Sequence, residues 1–197
     1  MNTFIKSVLR FLYAELPQYH EAIEAFRYFL SKKGGDREIP SSLEKELAEA
    51  ISARMYRFSG IPESGTKMVV VYGDYNHIIP RDIPREESHI LYLSPLQAVI
   101  GGFTITVTKV ISFIEDDFWN EVELDVLVED IYDWHDCVTT LPYFLEPYLR
   151  RAPKILLSFL QIEEEFGNFQ FNQKVLNRLG KPYRHFKEVR LKCYTSK

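Results

Sequence analysis

Residues 129 to 136 read Glu-Asp-Ile-Tyr-Asp-Trp-His-Asp, which gathers four carboxylates, a phenol and an imidazole within eight positions. Carboxylates at that density can hold Mg²⁺, which takes a few oxygen ligands and keeps several waters. They can also divide into a general acid and a general base where their environments differ. Tyr132 can donate a hydrogen bond to a phosphate oxygen, and His135 titrates near neutrality. These residue types suit phosphoester chemistry and glycoside hydrolysis alike.

The stretch that must position them is a strand. Val122, Leu124, Val126 and Val128 alternate with Glu123 and Asp125, so one face is apolar and the other charged. If the strand continues, its apolar face receives Asp130. A buried carboxylate there must find a cation, several donors or a metal, or else stay protonated. If the strand stops at Val128, then Glu129, Asp130 and Asp133 lie in a solvated loop. Both readings stand at this point.

Asp130-Ile131-Tyr132-Asp133 resembles the Asp-x-Tyr-Asp signature of the colicin M-like toxins. These are Mg²⁺-dependent phosphodiesterases that cut the peptidoglycan precursor lipid II between its polyprenol and its pyrophosphate. The resemblance extends to layout: helices precede a curved antiparallel sheet, and the signature ends one of its strands. It implies Asp130, Tyr132 and Asp133 as catalytic residues, Asp130 and Asp133 as ligands of Mg²⁺, and a lipid-linked envelope precursor as substrate; His135, outside the signature, joins the catalytic candidates by its own chemistry. It also implies an immunity protein as partner and action in a target periplasm. In that family an adjacent His-Arg pair follows the signature, and the stretch after Asp133, WHDCVTTLPYF, has none. The expected suppliers of the missing cation and acid, as substrate-binding residues, are Arg150, Arg151, Arg184 and His185.

The surrounding elements follow from periodicity. Phe4, Ile5, Val8, Leu9 and Leu12 recur at helical spacing, and Ile23, Phe26, Phe29 and Leu30 repeat it beyond Pro17. Ser41 with Glu44 forms a capping-box pattern before a third helix over about 42–58. TKMVVVYGDY and FTITVTKVISF then read as strands. FIEDDFWNE reads as the hairpin turn into VELDVLV, its acids solvated and Phe118 and Trp119 packing residues. KILLSFLQIEEEF and NQKVLNRLG read as helices, the second closed by Gly180, and KEVRLKCY as a last strand. The fold class is therefore α+β: N-terminal helices, then a curved antiparallel sheet forming a partly open barrel, with C-terminal helices. Residues 1–60 read as a helical N-terminal segment and 61–197 as an α+β candidate catalytic domain, with one compact domain overall as the alternative.

Composition limits the field. The chain of 197 residues has 46% apolar residues and a net charge of −4, so it is globular and has no global positive field to recruit nucleic acid. No apolar run reaches the length of a transmembrane segment, and the N-terminus lacks a signal peptide, so synthesis is cytoplasmic and delivery needs other machinery. Cys137 and Cys193 are too far apart for a redox or zinc motif and read as buried thiols, with a disulfide as the alternative. Asp74 and His77 follow a strand but read as ordinary turn chemistry. Two further functions remain open beside the phosphodiesterase. One is a non-catalytic interaction protein using exposed aromatics, and the other is a wall glycosidase using paired carboxylates.

Overall fold

A computed structural model describes residues 3–71, 94–133, 138–140, 150–152, 154–159, 162–165, 168–172 and 178–197. In chain order its elements are α1 (Thr3–Glu15), α2 (His20–Leu30), β1 (Asp36–Glu38), α3 (Glu44–Met55), β2 (Lys67–Val70) and α4 (Pro95–Val99). There follow β3 (Phe103–Glu115), β4 (Trp119–Tyr132), β5 (Val138–Thr140), α5 (Lys154–Phe159), β6 (Ile162–Glu165), β7 (Asn168–Asn172) and β8 (Tyr183–Ser196). The chain divides into two compact units interleaved in sequence. One comprises Met1–Gly35, Pro80–Pro95 and Tyr132–Tyr183, the other Asp36–Ile79, Leu96–Ile131 and Arg184–Lys197. No helix among the described residues is long and apolar enough to cross a membrane.

The second unit holds a five-stranded sheet in the order β1-β8-β4-β3-β2. β2 and β3, and β3 and β4, pair antiparallel. The side-chain pairs Arg184–Glu129, Arg190–Asp125 and Tyr194–Glu121 descend β4 as they climb β8, an antiparallel pairing as well. β1 joins β8 in parallel, Asp36 opposite Arg184. Among the described residues the sheet is therefore mixed and open, with β1 and β2 as its edges, instead of an antiparallel partial barrel. Local pattern could not announce the parallel pair, because a three-residue charged strand, Asp-Arg-Glu, has no alternation to read.

Alternation governs the rest of this sheet. Phe103, Ile105 and Val107 of β3, Val122 to Val128 of β4, and Val189, Leu191 and Cys193 of β8 are buried, while the residues between them are not. Leu47, Ala50, Ile51 and Met55 form the buried face of α3, which packs against β2. Cys193 is a free thiol in this core, and burial pushes its pKa up to about 12. Ser41 and Glu44 do not cap one another. The helix start carries no side-chain cap, and both residues turn to the buried Lys187, whose Nζ lies 3.3 Å from Ser41 Oγ and 3.6 Å from Glu44 Oε2. A buried ammonium demands oxygens more strongly than an N-terminal amide does.

In the first unit α1 and α2 are separate helices broken at Pro17, and α1 packs Val8 against Ala152, Phe11, Leu12 and Leu157. A second cluster joins Phe29, Leu30 and Tyr183 with Phe26, Tyr28, Tyr132 and Leu179. Gly180 is required there by close approach: a Cβ on it would fall within the ring of Phe29. The helix expected over KILLSFLQIEEEF ends at Phe159, and Ile162 begins a strand. Ile162 pairs with Phe171 and Glu163 with Gln170 in the three-stranded sheet β5-β7-β6, so cross-strand pairing overrides helical periodicity. The last strand expected over KEVRLKCY is present within β8, no helix follows it, and the helix expected over NQKVLNRLG falls mostly outside the described residues.

Candidate functional site

β4 runs without interruption through Asp130 to Tyr132. The strand does not stop at Val128, so the carboxylate of Asp130 falls on the face of Val126 and Val128, half-buried where the apolar row ends. Around it lies an open groove of about 510 Å³, lined by Val69, Gly102, Phe103, Thr104, Glu129, Asp130, Ile131 and Arg184. The register builds this groove: Val69 stands opposite Thr104, and Thr104 opposite Glu129. Gly102 lets β3 begin close against β2, since a Cβ there would sit 3.3 Å from the carbonyl oxygen of Val70.

Arg184 is the cation of the groove. Its Nε and Nη2 donate to Glu129 Oε1 at 2.9 and 2.5 Å, and its Nη1 donates to Asp36 Oδ2 at 2.8 Å. The guanidinium also lies 5.4 Å from the centroid of the Phe186 ring. Hydrogen bonding to Glu129 holds the guanidinium pKa above its ordinary value. A guanidinium carries five N–H donors, and these three bonds leave two to spare. The exposed side chains of Val69 and Ile131, each 56% accessible, supply an apolar margin.

The other expected residues are not among the described residues that line the groove. Tyr132 stacks on Tyr183 with centroids 5.1 Å apart and lies 5.9 Å from Phe29, so its ring belongs to the aromatic cluster of the first unit. Asp133 follows the strand and is exposed. Arg150 pairs with Glu164 at 3.1 Å and Arg151 with Glu15 at 3.3 Å, all within the first unit. His185 points to the opposite face of β8 from Arg184 and is 0% exposed. Burial, aided by the charge of Arg37 opposite it in β1, lowers its pKa to about 4, so it is neutral at pH 7. His135, Asp74, His77 and Cys137 lie outside the described residues.

Among the described residues no group of three or more His, Cys, Asp or Glu comes together to hold a metal. Mg²⁺ bound by one or two carboxylates and by the substrate's own phosphates needs no such group, and Asp130 is a donor of that kind. Glu129 is already engaged by Arg184. Glu129 and Asp130 are also consecutive in one strand, which does not make the facing carboxylate pair a glycosidase uses across its cleft.

Sequence reasoning missed Thr104, Val69 and Asp36 as neighbours of the site, and only register across the sheet reveals them. It also took Phe118 and Trp119 for packing residues. Phe118 is instead 75% exposed, because the hairpin apex carries it beyond the buried rows of both strands.

No family model matches the chain, and no curated protein or solved structure matches it.

Proposed function

We propose that the chain is a phosphodiesterase resembling the colicin M-like enzymes, acting on a polyprenyl-pyrophosphate envelope precursor such as lipid II. The observation that supports it is the meeting of Asp130, within the Asp-x-Tyr-Asp signature at a strand end, with the Arg184 guanidinium in one groove. In this reading the spare donors of Arg184 bind a phosphoryl oxygen, and Glu129 and Asp36 hold the guanidinium in place. Asp130 accepts a proton from the attacking water, whose oxygen bonds to phosphorus as the P–O bond to the prenol breaks; the prenol oxygen leaves with a proton. Val69 and Ile131 suit the prenyl chain. Asp130 would hold Mg²⁺, which would supply charge neutralisation for the pyrophosphate in a groove whose own acids outnumber its cation. His135, which does not match the family's His-Arg pair, remains a candidate acid by its own chemistry, and an immunity partner and action in a target periplasm belong to the same reading.

The test is direct. Purified protein with Mg²⁺ and lipid II should release polyprenol, EDTA should stop it, and Asp130→Asn should slow it by roughly 10²–10⁴-fold at unchanged melting temperature. Lipid II left intact at high enzyme concentration sinks the reading. A second reading, a non-catalytic interaction protein, is favoured by one observation: the exposed aromatic apex of the β3–β4 hairpin.

A further inference from the structure

The β3–β4 hairpin carries apolar side chains that neither its turn nor the core requires. Asp116 N–H donates to the carbonyl of Trp119 at 2.9 Å, so Asp117 and Phe118 alone span the apex. Apex positions of two-residue hairpin loops favour Gly, Asn or Asp for their backbone freedom, and a phenylalanine brings none of it. Phe118 nevertheless stands there, with Phe113 and Ile114 also exposed and Trp119 stacked on Tyr56 at 4.8 Å between centroids. The register shows how they come to face outward. Between Val107 and Lys109, and again between Val110 and Ser112, β3 carries one residue more than β4, and past these two bulges its side chains leave the buried rows.

The charge carried by the hairpin end itself has one sign. From Val110 to Glu121 the chain contains Glu115, Asp116, Asp117 and Glu121 and no Lys or Arg. Those four charges equal the −4 of the entire chain, so everything outside the hairpin end balances to zero (−4 minus −4). Glu121 is answered by Lys192 at 3.9 Å. Glu115, Asp116 and Asp117 take part in no ion pair among the described residues. An anionic lipid surface is repelled by such a rim, and a second copy of the chain would bring the same acids against it. A basic partner is attracted to it.

We infer that the hairpin end is a docking surface for a basic amphipathic segment of another protein, one whose apolar stripe covers Phe118, Ile114 and Phe113 while flanking Lys or Arg side chains meet Glu115, Asp116 and Asp117. The surface is separate from the groove and does not depend on the catalytic reading.

The probe is an amphipathic peptide of Lys and Leu alone, titrated into a Trp134→Phe protein in which Trp119 is the sole tryptophan. A saturable blue shift of Trp119 emission is expected. Phe118→Ser, and separately Glu115→Gln/Asp116→Asn/Asp117→Asn, should each weaken it by roughly tenfold with circular dichroism unchanged; the acid-free variant keeps the test decisive should Phe118→Ser misfold. A Glu/Leu peptide of the same pattern should give no shift. Absence of a shift with the Lys/Leu peptide, or equal affinity in both variants, overturns the proposal. A shift on zwitterionic vesicles alone overturns it in favour of a lipid surface, and a dimer in sedimentation that Phe118→Ser abolishes overturns it in favour of self-association.

Discussion

Arg184 donates from Nε and Nη2 to a single oxygen of Glu129, at 2.9 and 2.5 Å, and thereby ties the start of β8 to the end of β4 beside Asp130. Both side chains are about a third exposed, so water screens the pair. A double-mutant cycle of Arg184→Leu and Glu129→Gln should give a small favourable coupling, as solvent-screened pairs do. In about 1 M salt that coupling should shrink. A coupling unchanged by salt would mean that the pair is less solvated than its exposure implies.

His185 sets a pH dependence. Its folded pKa, about 4, lies below the ordinary value of 6.5, so between these limits the unfolded chain binds a proton that the folded chain refuses. Stability contributed in this way is complete above pH 6.5 and falls as pH drops toward 4, by roughly 3 kcal/mol. His185→Gln should flatten that part of the curve whatever it does to stability at pH 7. Chemical denaturation at steps across the window measures it, and an unchanged slope would assign the effect to other groups.

Lys187 is asymmetric with its partners. Its side chain is 6% exposed, yet Glu38 and Glu44, which it reaches at 3.1 and 3.6 Å, are more than half exposed. Lys187→Met leaves two carboxylates that water can take back, and should cost about 1 kcal/mol. Removing both acids, Glu38→Ala with Glu44→Ala, leaves the ammonium buried and should cost roughly 3 kcal/mol. Urea melts of the two variants test the ordering, and the reverse ordering would refute it.

Gly180→Ala forces a methyl into the Phe29 ring and should lose roughly 1–3 kcal/mol. Phe29→Leu should make the same substitution markedly less costly, a non-additivity that thermal melts of the double mutant would reveal.

Much of this could be read from residue order alone. The alternation of β3, β4 and β8 and the helical spacing of α1, α2 and α3 are properties of single segments, and each element forms where its own period puts it. What escaped reading depended on partners distant in sequence. Asp36-Arg37-Glu38 is a strand only because β8 receives it, and Ile162–Glu165 is a strand only because Phe171 and Gln170 stand opposite. The same division applies at the site. The half-burial of Asp130 follows from the parity of β4, whereas the arrival of Arg184 beside it, and the turning of His185 away, follow from which face of β8 meets which edge.

The place of β8 between β1 and β4 has a consequence for biosynthesis. Of the five strands it is the last to be translated, yet it belongs inside the sheet rather than at a margin. Until it emerges, the valine-rich β4 has one side without a ladder, able to zip onto any extended chain nearby. The nascent protein therefore passes through a stage that holdase chaperones would recognise, and insertion of this late strand across a long loop closure should govern how quickly the native state is reached.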